Sequence, residues 1–323
     1  MPDIELRALA NQQVATTDAF PRMYCAGSGM DVQGAAGWVA MHRASIQEQL
    51  DQCGAVVFRG FGLSSDSHFD QFIRAFAWQN FTYAESLSNA VRRNRTDRVF
   101  TANEAPPDVS IYLHHEMAQT PIYPSKLFFF CEQPALKGGA TPICRSDWLL
   151  ERLALDAPAF VAACAERGVR YSQTMPLDED LASGQGRSWR STLSANNRLE
   201  AEAKLTALSY EWSWLADGSL QVTTPVLPAV RTLNDGSQSF FNQLIAAFFG
   251  WQDARNDGRK AITHGDGTPL NNDAMQAAVA LAEELTVDLR WQQGDVALVD
   301  NFRVMHGRRP FAGERRVLAS LVA

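Results

Sequence analysis

The sequence contains few cysteines, and none of them stands at the spacing of a metal site. Five cysteines are an odd set in a chain of 323 residues, and no Cys-x-x-Cys pair occurs. This pattern argues against a disulfide framework and against a structural zinc site. The five are Cys25, Cys53, Cys131, Cys144 and Cys164.

The sequence also lacks long apolar runs and clusters of basic residues. No apolar run approaches the roughly 20 residues needed to cross a bilayer, and the stretch 1–20 is too polar for a secretory signal. Lys and Arg are scattered, and the formal net charge is −7. We therefore expect a cytoplasmic protein whose partners include neither nucleic acid nor a membrane.

Short apolar segments separated by turn signals dominate the chain. Many short strands with a few outer helices predict a mainly β fold with peripheral helices, a double-stranded β-helix (jelly-roll) barrel. No repeat or linker divides the sequence, so we expect one domain over residues 1–323. The predicted helices cover 34–52, 64–78, 146–167, 197–207 and 271–285, and the predicted strands include 55–61, 125–132, 208–214, 219–224, 288–292, 295–301 and 315–323.

One long polar segment, 176–196, has no helical or strand periodicity. Loops of this length are often functional, so the segment predicts either an ordinary surface loop or an active-site lid. The glycine-containing stretches fit neither G-x-G-x-x-G nor a phosphate-binding loop. Since βαβ alternation is missing as well, a Rossmann fold is disfavoured.

The most informative chemical motif is His-His-Glu at 114–116. On an extended strand, residues two apart point to the same face, so His114 and Glu116 project together and His115 points away. Such a pair with one distant histidine is the facial ligand set of non-haem Fe(II) oxygenases. The predicted third ligand is His306, which follows an apolar strand. Taken alone the motif is weak, because a histidine is more often a hydrogen-bonded surface or core residue.

The surroundings of these residues strengthen the metal prediction. The chain resembles the TauD/TfdA family of Fe(II)/2-oxoglutarate dioxygenases, particularly its clavaminate synthase-like and SyrP-like members. The resemblance implies an enzyme that uses Fe(II), 2-oxoglutarate and O2. The ordered blocks that carry the resemblance are 54–76, 111–143, 209–231, 239–243, 264–275 and 291–318.

Carried over position by position, the resemblance implies that His114, Glu116 and His306 bind iron. It implies that Thr141 contacts 2-oxoglutarate and that Arg316 pairs with the distal carboxylate. The planar fork of an arginine can hold a carboxylate with two parallel hydrogen bonds, which suits this role.

Strand alternation would place the neighbouring Arg315 on the opposite face, at the surface. Some family members carry a further arginine four positions beyond the co-substrate arginine, for an anionic substrate. Here that position is Ser320, so their anion recognition does not transfer. Related halogenases replace the metal carboxylate by a small residue, whereas Glu116 retains it, which favours hydroxylation or desaturation.

The resemblance to SyrP-like members implies a small, amino-acid-derived substrate in specialised metabolism, free or tethered to a peptide-synthetase carrier domain. Each predicted contact has a structural alternative, since a buried amide can satisfy backbone groups and long polar side chains mostly lie at the surface. The predicted substrate contacts are Asn242, Gln243 and Arg308, with Arg187, Trp189 and Arg190 in the segment 176–196.

Two other classes of function stay open at this point. A zinc-dependent hydrolase also uses two histidines and a glutamate to hold a metal-bound water, although it gives no reason for the Thr141 and Arg316 matches. A non-catalytic β-barrel that binds a small molecule is the other alternative, because barrels host many functions.

Overall fold

The computed structural model describes residues 4–8, 19–82, 87–88, 92–180, 186–250, 255, 257 and 261–323. Its helices are α1 (Val32–Cys53), α2 (Asp66–Arg74), α3 (Ser146–Asp156), α4 (Pro158–Arg167), α5 (Trp189–Leu193), α6 (Arg198–Ala207), α7 (Leu244–Gly250) and α8 (Asn272–Glu284). Within these ranges, every helix is too short or too polar to span a membrane.

The strands of the same ranges are mostly short, as the turn-separated apolar segments predict. They are β1 (Ile4–Ala8), β2 (Arg22–Ala26), β3 (Ala55–Arg59), β4 (Phe100–Thr101), β5 (Ile111–His114), β6 (Lys126–Gln133), β7 (Lys137–Gly138), β8 (Thr141–Arg145), β9 (Val169–Met175), β10 (Glu211–Trp214), β11 (Leu220–Thr223), β12 (Arg231–Thr232), β13 (Gln238–Ser239), β14 (Ile262–His264), β15 (Val287–Leu289), β16 (Val296–Asp300), β17 (Val304–Arg308), β18 (Phe311–Ala312) and β19 (Arg316–Val322).

The helix predicted over 146–167 is interrupted in the structure. Ala157 ends α3, and its N–H donates to Leu153 O at 2.7 Å. Pro158 then opens α4. A residue before proline is sterically kept out of the α conformation, and Ala157 has φ −141° and ψ 58°. The Ala-Pro step therefore divides the predicted helix.

Two sheets carry the functional part of the fold. The larger has the strand order β1-β2-β3-β16-β6-β19-β4, and the smaller has the order β15-β8-β17-β5. A buried apolar cluster takes side chains from β3, β6, β16 and β19 of the larger sheet and from β8, β15 and β17 of the smaller. The two sheets therefore pack face to face through their inner faces, as in sandwich architectures.

Helices cover the outer faces of both sheets. α1 and α2 pack on the larger sheet through a phenylalanine-rich cluster, in which Phe58 and Phe72 meet edge to face with ring centroids 5.3 Å apart. α3, α4, α7 and α8 pack on the smaller sheet. Sheets with peripheral helices match the predicted fold class. The described strands form separate sheets, and closure into a jelly roll stays a prediction.

A third sheet has the order β10-β11-β9-β14, and residues of its strands β9 and β14 join the cluster of α3, α4, α7 and α8. Its other strands, β10 and β11, and the end of β9 pack with α5 and α6 around a further apolar cluster. The segment 176–196 belongs to this region, although its residues 181–185 lie outside the described ranges. Trp189 and Leu193 of the segment are 2% and 3% exposed. The second half of the segment is therefore anchored by its own core contacts.

Candidate active site

Strand pairing brings the three predicted metal ligands together. β17 runs antiparallel to β5, and His306 lies directly opposite His114. β5 ends at His114, so Glu116 stands in the turn that follows and not on the predicted strand. The side chains of His114 and Glu116 nevertheless converge. One ligand atom from each of His114, Glu116 and His306 lies within 4.8 Å of the others.

The nitrogen and oxygen atoms left without partners in this cluster could bind a metal ion. The Nδ1–H of His114 donates to Tyr112 O at 2.8 Å, which leaves its Nε2 lone pair available. Glu116 Oε2 lies 3.5 Å from His306 Nε2. Within the described ranges, this buried oxygen has no hydrogen-bond partner, although buried polar atoms are normally paired. Two imidazoles and one carboxylate with open positions suit Fe(II).

Two buried residues hold Glu116 in place. Arg92 donates through Nη2 to Glu116 Oε1 at 2.8 Å, and the two side chains are 7% and 3% exposed. Asn301 accepts from Glu116 N at 2.7 Å through Oδ1 and donates to Glu116 O at 3.0 Å through Nδ2. Because Arg92 occupies one carboxylate oxygen, the other is directed to the histidines.

The electrostatics leave His114 and Glu116 in the protonation states that metal binding requires. Burial, followed by the neighbouring His306, lowers the pKa of His114 to about 4. Burial alone would raise the pKa of Glu116, but Arg92 together with His306 and His114 outweighs it and the pKa is lowered. At neutral pH, His114 is therefore uncharged and Glu116 is ionised.

His115 points away from the ligands, as the alternation predicts. It is completely buried, and its Nδ1–H donates to Asn301 O at 2.5 Å. Its ring packs on Phe241 at 4.8 Å between centroids. His115 is a core residue that joins the ligand turn to the segment before β17.

The co-substrate residues required a correction. Thr141 lies on β8, is 3% exposed, and faces the space between the sheets. Arg316 does not: its side chain is 53% exposed, and its Nε lies 3.0 Å from Glu132 Oε2. Arg315 instead reaches inward, donating to Gly139 O at 2.9 Å and to Thr141 Oγ1 at 3.4 Å. The predicted placement of these two arginines was therefore reversed.

Alternation along β19 explains the reversal. Val317 and Ala319 belong to the cluster between the sheets, whereas Leu318 belongs to the outer cluster. Odd-numbered positions of β19 therefore face inward. Arg315 precedes the strand, beyond a register irregularity between Arg316 and Val317, and its hydrogen bonds to Gly139 and Thr141 place it on the inner side. The position four residues beyond Arg315 is Ala319, so the second family arginine is absent on this count as well.

Comparison with known proteins gives the family. A model of the taurine catabolism dioxygenase TauD, TfdA family matches residues 20–321. The chain belongs to the TauD/TfdA family. A clavaminate synthase-like protein of Arabidopsis thaliana is 42% identical over 277 residues, which cover 85% of this chain and 83% of the relative. The dapdiamide synthesis protein DdaC of Enterobacter agglomerans is 29% identical over 290 residues, covering 86% and 84%.

Solved structures support the fold. A taurine dioxygenase from Burkholderia xenovorans has a TM-score of 0.53 at 15% identity, covering all of this chain and 90% of its own. The structure of AAD-2 in complex with Mn(II) and N-oxalylglycine has a TM-score of 0.54 at 15% identity, covering 99% and 98%. As a TauD/TfdA member, the chain is a 2-oxoglutarate-dependent non-haem iron dioxygenase that uses Fe(II), 2-oxoglutarate and O2.

Several side chains predicted to contact substrate in this TauD/TfdA enzyme form hydrogen bonds with backbone groups of the protein. Arg308 donates to four backbone carbonyls, those of residues 103, 105, 106 and 109. These bonds hold the loop before β5 and use Nη1 and Nη2, so substrate contact by Arg308 stays a prediction. Asn242 donates to Ala229 O, and Gln243 donates to His115 O at 2.9 Å. Both side-chain amides therefore form hydrogen bonds with backbone carbonyls, which was the alternative to substrate contact.

The predicted contacts in the segment 176–196 divide in the same way. Trp189 is a core residue that meets Trp214 edge to face at 5.0 Å. Arg187 is 7% exposed and donates to Ser88 O at 2.8 Å. Trp189 and Arg187 therefore make contacts within the fold, and substrate contact by either stays a prediction. Arg190 is exposed, and its role stays a prediction.

Sequence reasoning missed Arg92, Asn301 and Trp291, of which Trp291 donates through Nε1 to Thr141 Oγ1 at 3.0 Å. Arg92 stands in the basic run 91–95, and Asn301 directly follows the apolar strand β16. Neither signal distinguishes a residue at the site from a surface charge or a turn residue, because their partners are distant in sequence.

Proposed function

We propose that this TauD/TfdA dioxygenase hydroxylates, or desaturates, an unactivated C–H bond of a small amino-acid-derived substrate. The observation that carries the proposal is the convergence of His114, Glu116 and His306, with Glu116 Oε2 left without a hydrogen-bond partner among the described residues. Family membership favours this reading over the zinc hydrolase and the passive barrel. When bound, Fe(II) with 2-oxoglutarate and O2 supplies the oxidant for such a bond.

The residues of the chain hold and orient the reactants. His114, Glu116 and His306 would bind the metal, and the protonation states of His114 and Glu116 at neutral pH suit that role. Arg92 fixes one oxygen of Glu116. The protein therefore provides a prearranged ligand set, while the cofactors carry the chemistry.

Arg315 and Thr141 are the residues we propose for the distal carboxylate of 2-oxoglutarate. Arg315 replaces Arg316 in this role, because it faces the space between the sheets. Within the described ranges, no carboxylate lies within salt-bridge distance of Arg315, whereas Arg316 pairs with Glu132. A buried cation without a carboxylate partner is unfavourable, and the co-substrate would supply that partner.

The substrate class rests on the retained carboxylate and on a relative. Glu116 keeps the oxygen ligand that halogenases of the family lack, which favours hydroxylation or desaturation. DdaC is a dapdiamide synthesis protein, and a diamide product fits an amino-acid-derived substrate, free or presented on a carrier domain. The segment 176–196, with the exposed Arg190, is the region we propose as the lid over that substrate.

Substrate screening with the iron-loaded enzyme under O2 tests the function. Each amino acid, free or attached to a carrier domain, is incubated with 2-oxoglutarate, and succinate and product mass are measured. Hydroxylation gives a product heavier by one oxygen atom, and desaturation gives one lighter by two hydrogen atoms. Glu116→Ala is the matched control and should form neither product. Turnover of a halide into a chlorinated product, or full activity of Glu116→Ala, would contradict the proposal.

Three further expectations stay predictions. A single catalytic domain over 1–323 agrees with the shared clusters between the two main sheets, and closure of those sheets into a jelly roll agrees with the family. The five cysteines are free thiols, and a cytoplasmic location stays a prediction.

A further inference from the structure

The hydroxyl of Thr141 receives hydrogen bonds from two side chains that can only donate. Trp291 Nε1 donates to Thr141 Oγ1 at 3.0 Å, and Arg315 Nη2 donates to the same oxygen at 3.4 Å. A hydroxyl has two acceptor lone pairs and one hydrogen. With both lone pairs engaged, the hydrogen of Thr141 must point to a third group.

The structure shows no acceptor for that hydrogen within the described ranges. Thr141 is 3% exposed, and Leu289 lies opposite it on β15. An unpaired hydroxyl hydrogen in a buried site is costly. The arrangement therefore calls for a bound group that accepts a hydrogen bond.

The neighbouring Arg315 has the same requirement. Its Nε–H is used by Gly139 O at 2.9 Å, and its guanidinium lies 5.7 Å from the ring centroid of Phe311. Burial, followed by repulsion from Arg308, lowers its pKa to about 10. The Thr141 hydroxyl and the remaining Arg315 N–H groups thus form a group of neighbouring hydrogen-bond donors.

We propose that Trp291 is a positioning residue that makes Thr141 an obligatory hydrogen-bond donor to the distal carboxylate of the co-substrate. The inference rests on the proposed role of Thr141 and Arg315 in holding that carboxylate. The consequence is selectivity for a carboxylate over an amide. An ionised carboxylate offers only hydrogen-bond acceptors, which match this group of donors. An amide at the same place would set its own N–H donors against those of Thr141 and Arg315 and would bind poorly.

Binding to the Mn(II)-loaded protein tests the proposal without turnover. The dissociation constants of 2-oxoglutarate and of oxalate are measured by calorimetry. Oxalate retains the metal-chelating end and lacks the distal arm. Trp291→Phe keeps an aromatic ring and removes the N–H. It should weaken 2-oxoglutarate binding by about three- to tenfold, as expected for one hydrogen bond, and leave oxalate binding unchanged. Trp212→Phe, away from the site on β10, is the control.

A double-mutant cycle separates positioning from packing. Thr141→Val should weaken 2-oxoglutarate binding by itself, and adding Trp291→Phe should then cost nothing more. The inference is overturned if Trp291→Phe binds 2-oxoglutarate as the wild type does, weakens oxalate equally, or retains its full effect in the Thr141→Val background. If Thr141→Val and Arg315→Ala both bind 2-oxoglutarate normally, the proposed co-substrate site is itself wrong.

Discussion

The side-chain amide of Asn301 forms hydrogen bonds with both the N–H and the carbonyl of Glu116. Its Oδ1 accepts from Glu116 N at 2.7 Å, and its Nδ2 donates to Glu116 O at 3.0 Å. The same Nδ2 donates to Pro124 O at 2.7 Å, and Asn301 is completely buried. Glu116 lies in a turn and not in a strand, so this amide takes over the backbone pairing that a ladder would supply.

Asn301→Asp should damage both the fold and the metal site. An aspartate still accepts from Glu116 N but cannot donate, which leaves the carbonyls of Glu116 and Pro124 unpaired in a buried site. We expect the free energy of unfolding to fall by about 2–4 kcal/mol, and Mn(II) affinity to fall by about 10- to 100-fold. Urea denaturation and paramagnetic resonance titration measure the two effects.

The same substitution at Asn271 is the matched control. Asn271 caps α8 and uses only its acceptor, toward Ala274 N at 2.9 Å. Asn271→Asp should therefore leave stability and Mn(II) binding unchanged. An Asn301→Asp protein with wild-type metal affinity would show that the amide has no part in holding Glu116.

His115→Ala should separate stability from metal binding. His115 is buried and supports Asn301 O, so its removal leaves a cavity and an unpaired carbonyl. We expect a loss of about 2–4 kcal/mol in the free energy of unfolding, with one Mn(II) still bound per folded molecule. The partly exposed His68, mutated to Ala, should change neither quantity. Loss of Mn(II) from folded His115→Ala would place this residue in the metal site.

Arg315 and Arg316 should differ sharply in co-substrate binding. Removing one partner of a buried, hydrogen-bonded charge pair costs about 2–5 kcal/mol, so Arg315→Ala should weaken 2-oxoglutarate binding about thirtyfold or more. Arg315→Lys should recover part of this loss, since it keeps the charge without the planar fork. Arg316→Ala is the control and should bind as the wild type does. The measurement is an anaerobic titration of the Fe(II) protein with 2-oxoglutarate. If Arg316→Ala weakened binding more than Arg315→Ala, Arg316 would be the co-substrate arginine.

Asp300 should make stability depend on pH. Burial raises its pKa to about 6, so the folded protein holds the proton more tightly than the unfolded chain. The contribution of this group is therefore fully present below about pH 4 and is lost as pH rises through 6. Asp300→Asn should raise the free energy of unfolding by about 1–3 kcal/mol at pH 8 and have little effect at pH 4.

Denaturation at the two pH values measures this effect. Asp178→Asn, at an exposed position, is the control and should show no such pH-dependent gain. An Asp300→Asn protein that is destabilised equally at pH 4 and pH 8 would show that Asp300 acts as an ionised partner and not as a buried acid.

The cluster of His114, Glu116 and His306 could be predicted from the sequence because two of its members form a local pattern. His114 and Glu116 are two residues apart, and a histidine after an apolar strand completes the set. The side chains of His114 and Glu116 converge as predicted, although Glu116 lies in a turn and not on a strand. The ordered blocks of the resemblance were sufficient to indicate the family, which the match over residues 20–321 shows.

The choice between Arg315 and Arg316 needed the tertiary structure. β19 is buried on both faces, with Val317 and Leu318 in different clusters, so no apolar–polar alternation marks the inner face. The role of Arg308 was hidden for a related reason, since its partners are backbone carbonyls about 200 residues away.

The sequence by itself determined which ligand types are present and to which family they belong, because these depend on residue identity and short spacing. Only the tertiary structure decided which arginine faces the space between the sheets and which amide holds Glu116. Those contacts join residues distant in sequence, such as Asn301 and Glu116, and sheet packing alone brings them within hydrogen-bond distance.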